Sequence, residues 1–171
     1  MRSDELRALQ QPLKARYRED PGTALITLRA DGELGSEGVA CSVQTGKALV
    51  EAGLHPLSGG DGMLACSGDM LLQALVACAG VTLRSVALNR GITVNGGRVR
   101  AEGDLDFRGT MGVDRDAEVG FRAIRLSFEL DSPATREELD TLVATTERYC
   151  VVHQTLVAGV PVTMSCSTAG S

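Results

Sequence analysis

Two cysteines in unlike settings are the residues of this chain best suited to chemistry. Cys78 lies inside an apolar segment that runs from Met70 to Leu83, whereas Cys150 begins a second segment that the sequence predicts to be a helix. The exposed N–H groups and the dipole at a helix start favour a thiolate. A thiolate beside a second thiol can attack a peroxide, become a sulfenic acid and be captured as a disulfide. The pair is therefore a candidate redox dithiol.

The composition limits the kinds of protein that the chain can be. Its 171 residues suit one domain, and with 3% aromatics and no Trp the core must be made of Leu, Val, Ala and Met. The net charge of −5 gives no electrostatic basis for binding nucleic acid or an anionic membrane. Both are excluded as predicted partners.

The sequence also predicts where the protein works. The charged N-terminus has no apolar stretch behind it, so no secretory signal is predicted. The apolar segment at 70–83 is interrupted by Gln73 and Thr82 and is short for a membrane span. Five cysteines at irregular spacing argue against a secreted disulfide framework. We expect a cytoplasmic protein.

The N-terminal third is predicted to hold one helix and a hairpin. Leu6, Leu9 and Leu13 recur at helical spacing, so a helix is expected within residues 1–20. Further elements are predicted as strands at 24–29 and 39–45, a turn at 30–38 and a loop at 53–68. Residues 24–58 are thus N-terminal strands and loop, and residues 59–171 are the core of a single domain that spans 1–171.

The rest of the chain predicts an α+β fold. The segment at 69–89 is apolar nearly all round, which is typical of a helix wrapped by other elements. Ser132 and Pro133 predict the start of another helix. The remaining elements are expected as strands at 93–107, 119–130 and 161–165, a helix running to Tyr149 and a short helix at 150–157. Strands and helices do not alternate regularly, which favours α+β over a doubly wound sheet.

Three motifs resemble the OsmC and organic hydroperoxide resistance family. They are the glycine-rich run at 59–62, the segment 66–83 that carries Cys78, and the segment 147–156 that carries Cys150. The resemblance implies a two-layer fold with antiparallel sheets around central helices. It also implies an intertwined homodimer with two active sites at the subunit interface.

The activity that the resemblance implies is thiol-dependent reduction of organic, and also inorganic, hydroperoxides in defence against oxidative or osmotic stress. By position in the motifs, Cys78 would attack the peroxide and Cys150 would resolve the sulfenic acid. Helix-start electrostatics alone would instead select Cys150 as the thiolate. The expected partners are a hydroperoxide substrate, a second copy of the chain and a dithiol reductant of lipoyl or thioredoxin type, with no cofactor.

The family also pairs an acidic residue with an Arg that contacts the thiolate. The acidic position here is Asp69, nine residues before Cys78, where the family has a Glu that is one methylene longer. Arg29 at the end of the first predicted strand is our candidate for the Arg, with Arg16 and Arg18 as alternatives.

The other cysteines and the one nearby histidine have plainer interpretations. Cys66 is predicted to be structural, with a regulatory thiol as the alternative. Cys41 and Cys166 are predicted to lie in strands, and no role is assigned to them. His153, three residues after Cys150, suggests zinc or support of a Cys150 thiolate, but the chain has only two histidines and no metal is predicted.

The sequence has three alternatives to a peroxidase. A Cys–His protease would need an orienting Asn or Asp and an oxyanion hole, and the sequence locates neither. The glycines at 59–62 lack the strand and spacing of a nucleotide-binding loop. The remaining alternative to a peroxidase is a non-catalytic protein of the same fold that binds a small hydrophobic ligand at the dimer interface.

Overall fold

The structure is a computed structural model that describes residues 32–34, 40–45, 48–112 and 114–166, together with residues 4, 8, 11, 12, 15, 19 and 20. Before residue 50, the strands are described by their backbone alone. All the N-terminal residues in this set except Asp20 are helical, in agreement with the predicted first helix. The strand predicted at 24–29, with Arg29, lies outside the described residues.

The described elements confirm a mixed α+β fold. In chain order they are β1 (Gly32–Leu34), β2 (Ala40–Thr45), β3 (Ala48–Gly53), β4 (Ala65–Cys66), α1 (Ser67–Arg90), β5 (Gly96–Leu105), α2 (Phe107–Thr110), β6 (Phe121–Asp131), α3 (Arg136–Tyr149) and α4 (Val151–Ala158). One sheet has the order β1-β2-β3-β4, and β5 pairs with β6 in a second sheet. All pairs are antiparallel except β3 with β4.

The N-terminal sheet differs in part from the prediction. Strand β2 is confirmed, but β1 lies inside the segment expected to be a turn, and β3 was not predicted. Both extra strands form by pairing with β2, from Gly32 opposite Val43 and from Ala40 opposite Gly53. The strand conformation of β1 and β3 depends more on pairing with β2 than on a local alternation of apolar and polar side chains.

Helix α1 has the predicted limits but buries only one of its faces. It ends at Gly91, whose φ of 72° allows its N–H to cap the last turn. The buried residues recur every fourth position, at Leu75, Ala79, Leu83 and Ala87. The opposite face is open, and Val81 is 73% exposed. The expectation of a helix wrapped on all sides is therefore wrong for the described part of one chain.

Two clusters of buried side chains hold α1 against the other helices. Leu83 and Ala87 pack with Leu142 of α3, whereas Leu75 and Ala79 pack with Cys150 just beyond the end of α3. Helices α1 and α3 are therefore antiparallel. By length and composition α1 could span a membrane, but its buried stripe is the centre of this core. The packing brings the end of α3 alongside the middle of α1.

Helix α3 begins three residues later than the sequence suggested. Its N-cap is Thr135, which forms a capping box with Glu138, so the predicted cap at Ser132 is wrong. The Ser132 hydroxyl instead accepts the N–H of Ala134 and donates to the carbonyl of Thr93. The reciprocal Thr135–Glu138 bonds satisfy two of the free donors at the helix start.

The strand predicted at 161–165 is not formed. The segment has no regular structure, and Val162 and Met164 are 83% and 97% exposed. A strand needs a neighbouring strand to satisfy its N–H and C=O groups, and none of the described strands pairs with this segment. The apolar residues of this segment alternate as they would in a strand, but the described chain contains no strand that pairs with it.

The capping box gives the first prediction. Replacing Thr135 with Ala should lower the free energy of unfolding by about 1 kcal/mol, because the Glu138 N–H loses its partner. Urea unfolding followed by circular dichroism measures the change. The matched control is Thr141→Ala in the exposed middle of the same helix, which should be neutral or slightly stabilising. Equal losses in the two variants would contradict the capping role.

Candidate active site

The fold brings the two cysteines of the sequence motifs together. Cys78 lies in α1 and is half-buried, whereas Cys150 is fully buried at the junction where α3 ends and α4 begins. Both are free thiols, and the Cys150 thiol donates a hydrogen bond to the Cys78 sulfur. The contact exists because Cys150 packs on Ala79, the next residue along α1.

The surroundings of Cys78 favour its thiolate. Burial raises the pKa of this thiol, but hydrogen bonds outweigh that effect and the net pKa is below its ordinary value. The donors are the N–H groups of Val152 and Val151, the Cys150 thiol and the Thr82 hydroxyl. Hydrogen bonds to the charged form of an acid lower its pKa.

The surroundings of Cys150 have the opposite effect. Burial is the largest influence and raises its pKa, and the bond that it donates to Cys78 raises it further. The negative charge that Cys78 carries when ionised acts in the same direction. The N–H groups of His153 and Val152 lower the pKa but do not compensate. The pKa of one sulfur is therefore lowered while that of its neighbour is raised.

The start of α4 explains why helix-start electrostatics alone points to Cys150, although the thiol with the lowered pKa is Cys78. Helix-start electrostatics pointed to Cys150, which is the N-cap residue of α4. The first two N–H groups of that helix, from Val151 and Val152, instead lie against the Cys78 sulfur. The dipole of α4 thus acts on a cysteine from another helix.

Thr82 is a site residue that the sequence analysis missed. It lies four residues after Cys78 on the same face of α1, and its hydroxyl donates to the Cys78 sulfur. The i, i+4 spacing of a hydroxyl and a thiol was the available signal. The contributions of Val151 and Val152 could not be found in this way, because they come from backbone groups that only the tertiary fold places.

Asp69 lies apart from the two thiols. It is exposed in the first turn of α1, about 13 Å from Cys78 along the helix axis. Its carboxylate forms no ion pair or hydrogen bond with the described residues, and it lines a cavity of about 390 Å³ with His55, Cys66 and Phe107. Since Arg29 lies outside the described residues, the pairing of these two residues stays a prediction.

The remaining candidates lie away from the sulfur pair or touch it only through the backbone. Cys66 is half-buried as the N-cap of α1, and Cys166 is exposed. Cys41 lies in β2, where only the backbone is described, and Arg16 and Arg18 lie outside the described residues.

His153 Nδ1 is buried and has no partner among the described residues. Across the described ranges, no three His, Cys, Asp or Glu side chains form a potential metal site.

A model of OsmC-like proteins matches residues 60–165, which include both cysteines. The chain belongs to the OsmC-like family. A search of curated proteins found no match to this OsmC-like chain.

Solved structures support the fold of this OsmC-like protein. It is similar to an OsmC-like protein from Mycoplasma pneumoniae, with 20% identity, a TM-score of 0.64 and coverage of 77% of this chain and 88% of the other. It is also similar to an organic hydroperoxide resistance protein OsmC from Legionella pneumophila, with 19% identity, a TM-score of 0.60 and coverage of 77% and 90%. OhrB of Bacillus subtilis matches with 16% identity, a TM-score of 0.52 and coverage of 75% and 89%.

The hydrogen bonds to Cys78 predict its pH dependence. Alkylation by iodoacetamide requires the thiolate, so the rate at Cys78 should reach half its maximum at a lower pH than for an ordinary thiol. Replacing Thr82 with Val should move this midpoint to higher pH, because one donor to the thiolate is lost.

The matched control is Thr82→Ser, which keeps the hydroxyl and should keep the midpoint low. Mass spectrometry of the labelled peptide gives the rate at Cys78 alone. A midpoint that is the same in the Val and Ser variants would contradict the role of Thr82.

Proposed function

We propose that this OsmC-like protein is a thiol peroxidase that reduces organic hydroperoxides with Cys78 and Cys150. The observation that carries the proposal is the hydrogen-bonded pair in which the pKa of Cys78 is lowered and that of Cys150 is raised. A peroxidase needs one sulfur as a thiolate for attack and a second thiol within reach of the first.

The chemistry follows from this difference in pKa. The Cys78 thiolate attacks one oxygen of the peroxide bond, the O–O bond breaks, and the departing alkoxide takes a proton to leave as an alcohol. Cys78 is then a sulfenic acid. The Cys150 sulfur attacks Cys78, an S–S bond forms, and the hydroxyl of the sulfenic acid leaves as water. Two electrons from an external dithiol, of lipoyl or thioredoxin type, restore both thiols.

The known relatives support the substrate class. Two of the structural neighbours, from Legionella pneumophila and Elizabethkingia anophelis, are organic hydroperoxide resistance proteins. The same attack would also reduce an inorganic peroxide, because the sulfur touches only the O–O bond.

An acidic residue and an arginine would complete the site. In our proposal the guanidinium of Arg29 stabilises the Cys78 thiolate, and Asp69 holds the Arg in place. Asp69 has an exposed carboxylate with no cation bound to it among the described residues. The distance of about 13 Å along α1 requires the Arg side chain to reach across from another element.

A second copy of the chain would complete the fold. We propose a homodimer in which the segment 160–166 of one chain pairs with a sheet of the other. The support is the alternation of Val160, Val162 and Met164, all of them exposed in the single chain. Exposed apolar residues of this kind mark an interaction surface. We place the dimer in the cytoplasm, where its free thiols would stay reduced.

A second candidate function is the binding of a small hydrophobic ligand without catalysis. A cavity of about 410 Å³ lies between β6, α3 and α4, and apolar side chains such as Phe121, Leu126 and Leu156 line most of it. The buried Nδ1 of His153 at this cavity offers one polar contact. Arg122 and Glu147 also line the cavity, and mostly apolar walls with a few polar groups are typical of a ligand pocket.

Activity of cysteine variants tests the peroxidase. With cumene hydroperoxide and a dithiol reductant, Cys78→Ser should lose turnover by at least about a hundredfold, because the attacking sulfur is gone. Cys150→Ser should turn over more slowly than wild type, since the external dithiol must then reduce the Cys78 sulfenic acid directly instead of an internal disulfide. A stopped assay of peroxide consumption measures both.

The matched control is Cys66→Ser, which removes a half-buried thiol outside the pair and should retain turnover. Wild-type protein that consumes peroxide no faster than Cys78→Ser would refute the enzyme proposal. It would leave hydrophobic-ligand binding as the better account.

The dimer is tested by the mass of the purified protein in light scattering. Wild type should have the mass of two chains, and Val162→Glu should shift it towards one, because a charge would enter the pairing surface. The control, Thr163→Glu, places the charge on the alternate face of the same segment. A wild-type monomer, or equal masses for wild type and Val162→Glu, would contradict the proposed role of this segment.

A further inference from the structure

Helices α3 and α4 meet at a corner that the local sequence does not require. Residues 136–158 contain no Gly or Pro, the residues that usually end or break a helix, and Gly159 is the first of either after α3 begins. Even so, α3 ends at Tyr149, since Cys150 has an extended backbone with φ of −74° and ψ of 108°. Interactions beyond the helical backbone must therefore favour the corner over one continuous helix.

The corner decides where the N–H groups of Val151 and Val152 are directed. In a continuous α-helix each N–H would bond to the carbonyl four residues earlier. Those carbonyls belong to Glu147 and Arg148. In the folded protein both N–H groups donate to the Cys78 sulfur instead. A continuous helix and donation to Cys78 therefore compete for the same two N–H groups.

Gln154 holds both sides of the corner. Its backbone N–H donates to the Cys150 carbonyl at 2.9 Å, which is the first helical bond of α4. Its side-chain Nε2 donates to the Glu147 carbonyl in the last turn of α3 at 2.8 Å. The carbonyl of the preceding residue, Thr146, still accepts a helical bond from the Cys150 N–H at 2.8 Å, so Glu147 is where the helical partners of α3 run out. The amide of Gln154 therefore takes the place that the Val151 N–H would have in a continuous helix.

Helix α4 has little packing of its own to fix its orientation. None of its eight residues is fully buried, and Val151 and Val157 are 69% and 65% exposed. It meets the core through Val152 and Leu156, which pack on the cluster around Cys150. With so little burial, the direction of its first N–H groups depends on the hydrogen bonds at the corner.

We propose that Gln154 is a positioning residue of the peroxidase site: its side-chain amide occupies the Glu147 carbonyl, which leaves the first N–H groups of α4 to the Cys78 sulfur. Gln154 acts through the backbone of α4 and takes no part in the bond changes at sulfur. The inference rests on the proposed peroxidase function and adds to it a residue that controls how readily the attacking thiolate forms.

The test is the pH at which Cys78 becomes reactive. Gln154→Met removes the donor and keeps the length of the side chain, so the midpoint pH of iodoacetamide alkylation at Cys78 should rise by about half a unit, the effect of one lost hydrogen bond. Gln154→Glu also lacks a donor but keeps a polar side chain at this exposed position, and it should raise the midpoint as well. The matched control is Thr155→Met, which places the same apolar side chain at the next exposed position of α4 and should keep the wild-type midpoint.

Mass spectrometry of the labelled peptide gives the midpoint, and circular dichroism checks that each variant is folded. A midpoint that rises in neither Gln154 variant, or that rises equally in Thr155→Met, would overturn the inference. Alkylation needs no peroxide, so this result does not depend on turnover. If the Gln154 variants raise the midpoint but wild type does not reduce cumene hydroperoxide, the peroxidase proposal fails and the positioning role of Gln154 stands.

Discussion

The hydrogen bond from the Cys150 thiol to the Cys78 sulfur is the interaction on which the rest of the site depends. Burial has the largest influence on the pKa of Cys150 and raises it, and the N–H of Val152 does most to lower the pKa of Cys78; the bond between the thiols adds to both shifts, because it favours the proton on its donor and the charge on its acceptor. The N–H groups of Val151 and Val152 act in the same direction on Cys78. The two thiols thereby differ in pKa, which is the difference that the proposed two-cysteine peroxidase requires.

This bond in turn depends on how two helices pack. Leu142 against Leu83 and Ala87 fixes α3 antiparallel to α1, and Cys150 at the end of α3 then lies beside Ala79. The chain turns at Cys150 into α4, so the start of a new helix falls at the sulfur of Cys78.

The sequence predicted those parts of the molecule that local patterns determine. The limits of α1 followed from its apolar run and Gly91, and the short helix after Cys150 was placed within one residue. The pairing of the two cysteines came from the family resemblance, since spacing alone does not reveal contacts between distant segments. The same limit explains why β3 was missed and why the segment at 161–165 was assigned a strand that the single chain does not form. The largest lowering of the Cys78 pKa comes from the N–H of Val152 in another helix, which no local pattern can indicate.

The central claim is that Cys78 is the sulfur that reacts first and that Cys150 captures it. Mass spectrometry after one equivalent of hydroperoxide, with dimedone present to trap sulfenic acid, tests it most directly. The account predicts a Cys78–Cys150 disulfide in wild type and a dimedone adduct on Cys78 in Cys150→Ser. An adduct on Cys150 in the Cys78→Ser variant at a comparable rate, or wild type in which these two cysteines stay unlinked, would contradict it.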